Sequence, residues 1–243
     1  MTLREFCARF FRVHTCAGCH KILKYENFYD AFCPACHMKW NFAKAESCKD
    51  CYGAAVECVC MPKGLSKQNV SGLSNLMFYR MERQKDPQNQ ILYIIKRKRI
   101  KRYADFLADE LSFLVEREMK AHGIRPDDAV IVGIPRGVRA KCEYGFDQSE
   151  LIGTRLAKKV GIPYVKAIGR RLGGKTQKNL NRAQRMVNMR SRFKLKGDAR
   201  YLKDKHVFLF DDIVTTGATM AAGAHFVKMA GAKSVFCICI AQN

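Results

Sequence analysis

Long apolar runs are missing from this sequence. The longest are Ile91–Ile95, Val207–Phe210 and Val235–Ala241. All fall far short of the roughly 18–20 residues that a membrane-spanning helix needs, so no membrane span is expected. The opening stretch, MTLREFCARFFRVHTC, is basic but lacks an apolar core of signal-peptide length and a small-residue cleavage site. The expected location is therefore the cytoplasm. Acidic residues are also scarce: 22 Asp and Glu stand against 44 Lys and Arg, a formal net charge of +22. Such a surface favours an anionic partner, whether nucleic acid, phosphorylated metabolite or membrane. With 48% hydrophobic and 27% charged residues in 243 positions, the chain is neither disordered nor collagen-like, and one or two domains are expected.

What is plentiful is cysteine. Nine of the 12 cysteines lie in the first 60 residues, and in a reducing cytosol such clustering argues for metal rather than disulfides. They form Cys16-x-x-Cys19, Cys33-x-x-Cys36, Cys48-x-x-Cys51 and Cys58-x-Cys60. A C-x-x-C turn aims two thiolates at one ion, and two such turns supply the tetrahedral sulfur set of a structural zinc site. The simplest pairing joins Cys16, Cys19, Cys33 and Cys36 around one ion, and Cys48, Cys51, Cys58 and Cys60 around a second. Spacing leaves a crossed pairing open. Cys7, His20 and His37 stand close enough in sequence to substitute as ligands. Cys237 and Cys239 fall in a strand and are expected in the core.

The basic surplus is concentrated. Residues 129–205 carry 20 basic and 5 acidic groups, and the run Lys96-Arg97-Lys98-Arg99-Ile100-Lys101-Arg102 precedes them. The chain divides into a double zinc ribbon (1–60), a polar connector (61–86) and a helical lead-in with an α/β domain (87–243). Asp86-Pro87 has the form of a helix N-cap with Pro at the first helical position. Ile91, Ile95, Ile100, Ala104, Leu107, Leu111 and Leu114 continue a helical stripe, as a helix or helix pair, towards Gly123. Strands are expected at 129–134, 164–168, 206–210 and 234–240, and helices at 148–160 and 219–229. Alternation of buried strands with helices predicts a parallel sheet.

The most specific segment is Val207-Phe-Leu-Phe-Asp211-Asp212-Ile-Val-Thr215-Thr216-Gly217-Ala218-Thr219. An apolar strand would deliver two carboxylates at its C-terminal end, where α/β sheets hold ligands. The Thr/Gly turn would offer N–H groups, hydroxyls and a helix N-terminus to a phosphate. The segment resembles the phosphoribosyl pyrophosphate (PRPP) motif of type I phosphoribosyltransferases. That resemblance implies Asp211 and Asp212 on the ribose hydroxyls and residues Thr215 to Thr219 around the 5-phosphate. It also implies a pyrophosphate loop after the domain's first strand, matched here by Gly133-Ile-Pro-Arg136-Gly137, and magnesium accompanying PRPP.

The order of zinc ribbons, helical connector and PRPP motif is similar to the ComF family over nearly the whole chain. Lys96, Tyr144-Gly-Phe-Asp-Gln-Ser-Glu150, Lys175-Thr-Gln177 to Leu180, Arg185-x-x-Asn188 and Phe193 carry the likeness. Tyr144 and Asp147 stand where the family usually has Arg and Asn. The resemblance implies a phosphoribosyltransferase fold, a link to DNA uptake and a helicase-like ATPase as partner. In an enzyme, Arg136 with Lys175 or Arg185 would offset the leaving pyrophosphate, and residues 171–188 have the composition of a closing lid. The intact motif and the Arg-Gly turn favour turnover. The alternative is a non-catalytic adaptor binding single-stranded DNA through the basic segments, with PRPP as a regulatory ligand. A third reading has the ribbons dock a partner protein.

Overall fold

In the computed structural model, residues 14–23, 30–171 and 192–243 are described. The helices are α1 (Pro34–Lys44), α2 (Lys63–Ser66), α3 (Pro87–Ile95), α4 (Lys101–Ala121), α5 (Val138–Tyr144), α6 (Gln148–Val160) and α7 (Ala218–Met229). The strands are β1 (Gly72–Phe78), β2 (Ala129–Gly133), β3 (Ile168–Arg170), β4 (Phe193–Leu195), β5 (His206–Val214) and β6 (Ser234–Gln242). Four of them form a parallel sheet in the order β1-β6-β5-β2, while β3 and β4 make a separate antiparallel pair. The register places Ile131 beside Phe208 and Phe208 beside Phe236. A parallel bridge from Tyr164 to Ile131 adds the rudiment of a fifth strand beyond β2.

Strand alternation sends side chains to both faces, and both faces are covered. On one side Ile131, Phe208, Phe210, Phe236 and Ile238 pack with Leu107, Leu111 and Leu114 of α4 and Ile152 and Leu156 of α6. On the other, Val130, Val132, Val207, Leu209, Cys237 and Cys239 pack with α7 and Phe193. The two strand cysteines are thus core. The helix pair expected after Asp86 is present, broken between Ile95 and Lys101. Helix α6 runs from an Asp147 cap, whose side chain accepts from the N–H of Ser149 and Glu150, to left-handed Gly161.

Two expectations are corrected. Residues 61–86 are more than a connector: they contain α2 and the edge strand β1, which pairs with β6. The strand was hidden because Ser74 and Asn75 interrupt its apolar pattern. Both are buried with partners, Ser74 Oγ donating to Glu118 Oε1 at 2.9 Å and Asn75 Nδ2 to the Ala55 carbonyl at 3.1 Å. The strand expected over 164–168 shrinks to the Tyr164 bridge, and pairing resumes only at Ile168. The cysteine block carries α1 and packs on the main core, where Cys16, Phe32, Cys36 and Trp40 cluster with α3 and α4. Trp40 Nε1 donates to Glu110 Oε2 at 2.9 Å, tying α1 to α4.

Candidate functional site

The four parallel strands end on one edge, and β5 brings Asp211 and Asp212 there. Both are buried, at 9% and 6% exposure. Desolvation, and then the charge of Asp212, pushes the Asp211 carboxyl well above the usual range; the N–H of Asp212, Lys96 and Arg170 pull the other way. Asp212 is held from two elements: Lys96 Nζ, just past α3, lies 3.3 Å from Oδ2, and Gln148 Nε2 of α6 donates to the same oxygen at 3.1 Å. The chain then turns through exposed Thr215 and Thr216 to Gly217, at φ 74° the left-handed cap of α7. Only glycine takes this backbone without strain. Thr216 Oγ1 accepts from the Ala218 N–H at 3.4 Å.

Beside β5 runs β2, and the loop after it carries Arg136. The Arg136 N–H donates to Asp147 Oδ2 at 2.8 Å, and its Nη1 to the Lys96 carbonyl at 2.6 Å. The Arg136 guanidinium lies 4.6 Å from the Tyr144 ring centroid and 6.0 Å from that of Phe146. The two positions that depart from the family pattern therefore both touch Arg136: Tyr144 supplies a face for its charge, and Asp147 fixes its backbone. Gly137 begins α5. Arg170 Nε donates to the Pro135 carbonyl at 2.9 Å, with its guanidinium 4.3 Å from the Phe193 ring. A cavity of about 330 Å³ opens between the loop after β2, α5 and the β3–β4 pair; Arg136, Arg170, Lys141, Lys166, Lys194 and Lys196 line it, with the carboxylates of Asp147 and Glu150 among them. Such a concentration of cations suits an anion.

The structure places Arg136 and Gly137 in the loop after β2, with Arg136 joined through the Lys96 carbonyl to the residue that pairs with Asp212, and places Asp211, Asp212 and Thr215 to Thr219 at the end of β5 and in the turn that opens α7. Lys175 and Arg185 lie outside the described residues. Gln148 and Arg170 were not assigned to the site from sequence, and Lys96 was noted only as part of a likeness. Each comes from a separate element, so no local pattern marks it. A buried carboxylate pair accepts hydrogen bonds from hydroxyl groups or shares a divalent cation, and the turn offers N–H donors to a phosphate.

The cysteines assemble as two sets, Cys16, Cys19, Cys33 and Cys36, and Cys48, Cys51, Cys58 and Cys60, each with all Sγ atoms within 4.8 Å of one another. The crossed pairing is thereby ruled out. Cys19 to Cys33 and Cys51 to Cys58 are each 3.8 Å between Sγ atoms. A tetrahedron with Zn–S bonds of about 2.3 Å has edges of about 3.8 Å, so both sets fit zinc. The backbone N–H of Cys51, acting against desolvation and joined by that of Asp50, brings the Cys48 thiol down to about 7. At Cys16 burial opposes ionisation, but the N–H groups of Cys19, Cys33 and Gly18 outweigh it, again giving about 7. Such thiols ionise readily when a cation arrives. His20 and His37 belong to neither set, and Cys7 lies outside the described residues. Among those residues no helix is long and apolar enough to cross a membrane.

Comparison with known proteins agrees with this geometry. The phosphoribosyl transferase domain family matches residues 147–243. The DNA utilization protein YhgH of Salmonella typhimurium is 30% identical over 156 residues, 63% of this chain and 67% of that protein. YhgH of Escherichia coli is 28% identical over the same shares. Competence protein F of Haemophilus influenzae is 25% identical over 127 residues, 51% of this chain and 55% of its own length. With a phosphoribosyltransferase domain behind two four-cysteine sets and relatives of these two names, the chain belongs to the ComF family.

Proposed function

We propose that this protein binds PRPP with Mg²⁺ at the edge formed by β2 and β5 and transfers its phosphoribosyl group to a nitrogen nucleophile, the new bond forming at the anomeric carbon as its bond to the departing pyrophosphate breaks, in the service of DNA handling. The observation that carries the reading is the buried pair Asp211 and Asp212 leading directly into the left-handed turn at Gly217. The carboxylates would take the ribose hydroxyls and share the magnesium ion. The N–H groups of the turn and the first turn of α7 would hold the 5-phosphate. The cationic cavity beside Arg136 and Arg170 would receive the pyrophosphate, stabilising charge as it develops on the leaving group. Lys96 pairs with Asp212 and orients it. Zinc in both cysteine sets would be structural, because four sulfurs leave no open coordination position.

Calorimetric titration of PRPP with Mg²⁺ into zinc-loaded protein tests this. Saturable binding to the wild type and its loss in the Asp211→Asn/Asp212→Asn variant are expected. Equal binding by a folded double variant would remove the carboxylates from the site.

A second reading, a single-stranded DNA adaptor, draws on a different observation. The basic run leaves the site outward: Lys96 touches Asp212, while Lys98, Arg99 and Lys101 are exposed. Beside them, Arg97 lies 3.7 Å over the ring of Tyr93, itself 55% exposed. Cations beside an exposed aromatic suit a single strand, and the relatives named for competence and DNA utilization agree with this. The double carboxylate variant is expected to retain that binding.

A further inference from the structure

We propose that the second cysteine set, acting through residues 60–65, positions the phosphate turn at 215–219, so that loss of its metal loosens the turn. The consequence for ligand affinity rests on the PRPP reading above. The residues concerned are positioning residues, since they reach the phosphate only through the turn.

The second set sits on the same sheet edge as the site. Cys48, Ala55 and Cys58 pack on Phe78 at the end of β1, with Cys60 against them. Gln242 Nε2, at the end of β6, donates to the Cys60 carbonyl at 3.1 Å. Gln242 is also the register partner of Val214, the last residue of β5 before the turn. From Cys60 the chain passes through Met61 into Pro62, whose carbonyl accepts from the N–H of Leu65 at 2.8 Å and of Ser66 at 3.1 Å. Leu65 is fully buried and clusters with Val214, Met220 and Ala221, which flank the turn on both sides.

The contact itself is backbone on backbone. A Cβ added at Gly64 would lie 2.6 Å from the Thr216 carbonyl oxygen. One added at Gly217 would lie 3.1 Å from Leu65 Cβ and 3.2 Å from Pro62 Cβ. No side chain fits between the two segments, so a shift of α2 passes straight into the turn. Five positions separate the ligand Cys60 from Leu65. A bound ion fixes the near end of that short span, and Leu65 fixes the far end. Besides the ion, the knuckle is held by its few apolar neighbours, by the Gln242 and Asn75 hydrogen bonds, by Arg117 donating to the Val56 carbonyl and by Glu46 paired with Arg80 and Arg83, none of which touches residues 61–65.

The test compares zinc-loaded wild type with Gly64→Ala, Cys58→Ser and the control Gly72→Ala, where an added Cβ meets nothing within 4 Å. Zinc content is counted, amide hydrogen exchange is followed across residues 213–219, and PRPP with Mg²⁺ is titrated. Alanine favours a helix over glycine, so any weakening in Gly64→Ala comes from the close approach to Thr216. Faster exchange at 215–219 is expected in Gly64→Ala and Cys58→Ser. Gly64→Ala should keep its zinc yet bind PRPP about tenfold more weakly, the scale of one hydrogen bond to a charged group. Gly72→Ala should match wild type. Unchanged exchange at 215–219 in a zinc-replete Gly64→Ala overturns the proposal. If wild type takes up no PRPP, the PRPP reading falls and the exchange result alone decides the coupling. If Cys58→Ser loses protection throughout β2 and β5, it has unfolded and Gly64→Ala decides.

Discussion

Asp211 holds a proton more tightly in the folded chain than an ordinary aspartate does, because burial and the neighbouring Asp212 disfavour its charge. The linkage has a definite sign. From the usual carboxylate value up to the raised one, the folded state binds a proton that the unfolded chain has released, so stability falls as pH rises through that window. Asp211→Asn removes the titration while keeping nearly the same shape. The variant should therefore gain stability over wild type as pH rises above the usual carboxylate range, with a slope of up to about 1.4 kcal/mol per pH unit inside the window. Urea unfolding of both proteins at several pH values reads the difference directly. A flat difference would mean that Asp211 ionises normally and that Lys96 and Arg170 offset its burial. The same variant should lose PRPP binding, separating what this carboxylate does for the ligand from what it costs the fold.

At the scale of elements, the joint between β2 and α6 shows how closely packing is specified. The Tyr164 ring is wedged between them: a Cβ at Gly153 would lie 2.6 Å from its Cε2, and one at Gly133 only 2.4 Å from its hydroxyl. Gly153→Ala should cost about 1–3 kcal/mol by overpacking, despite the better helix propensity of alanine. In a Tyr164→Leu background the cost should shrink, and a double-mutant cycle measures the coupling. Strict additivity would acquit the ring. Helices α6 and α7 and strand β5 were legible because their caps and apolar patterns are local. Strand β1 was not, because two buried polar residues break its pattern and their partners come from Glu118 and Ala55. Helix α5 was missed as a short basic stretch between Gly137 and Gly145. In the candidate site the buried carboxylates and the left-handed turn at Gly217 could be read from one contiguous segment. Lys96, Gln148 and Arg170 could not, since only the folded sheet edge brings α3, α6 and β3 to the same place.

Across the whole molecule, the charge of +22 does not make every cation available to a polyanion. The run from Lys96 to Arg102 is divided by the fold. Its two ends are turned inward, Lys96 to Asp212 and Arg102 to the carbonyls of Thr15 and Asp30 in the first cysteine knuckle. Arg97 rests on Tyr93, while Lys98, Arg99 and Lys101 face solvent. If the solvent-facing three track a phosphate backbone, their replacement should change how binding responds to salt rather than how the protein folds. On a single strand, each phosphate that a cation neutralises adds about 0.7 to the steepness of log affinity against log salt. Lys98→Gln with Arg99→Gln and Lys101→Gln should thus flatten the slope by about 2, read by fluorescence anisotropy of a labelled oligothymidine between about 50 and 200 mM salt. PRPP binding should be unchanged in that triple variant. Arg102→Gln should do the reverse: it removes two anchors of the first knuckle and lowers thermal stability while leaving the salt slope alone. An unaltered slope in the triple variant would move the nucleic-acid interface elsewhere, with the cavity beside Arg136 and Arg170 as the next surface to mutate.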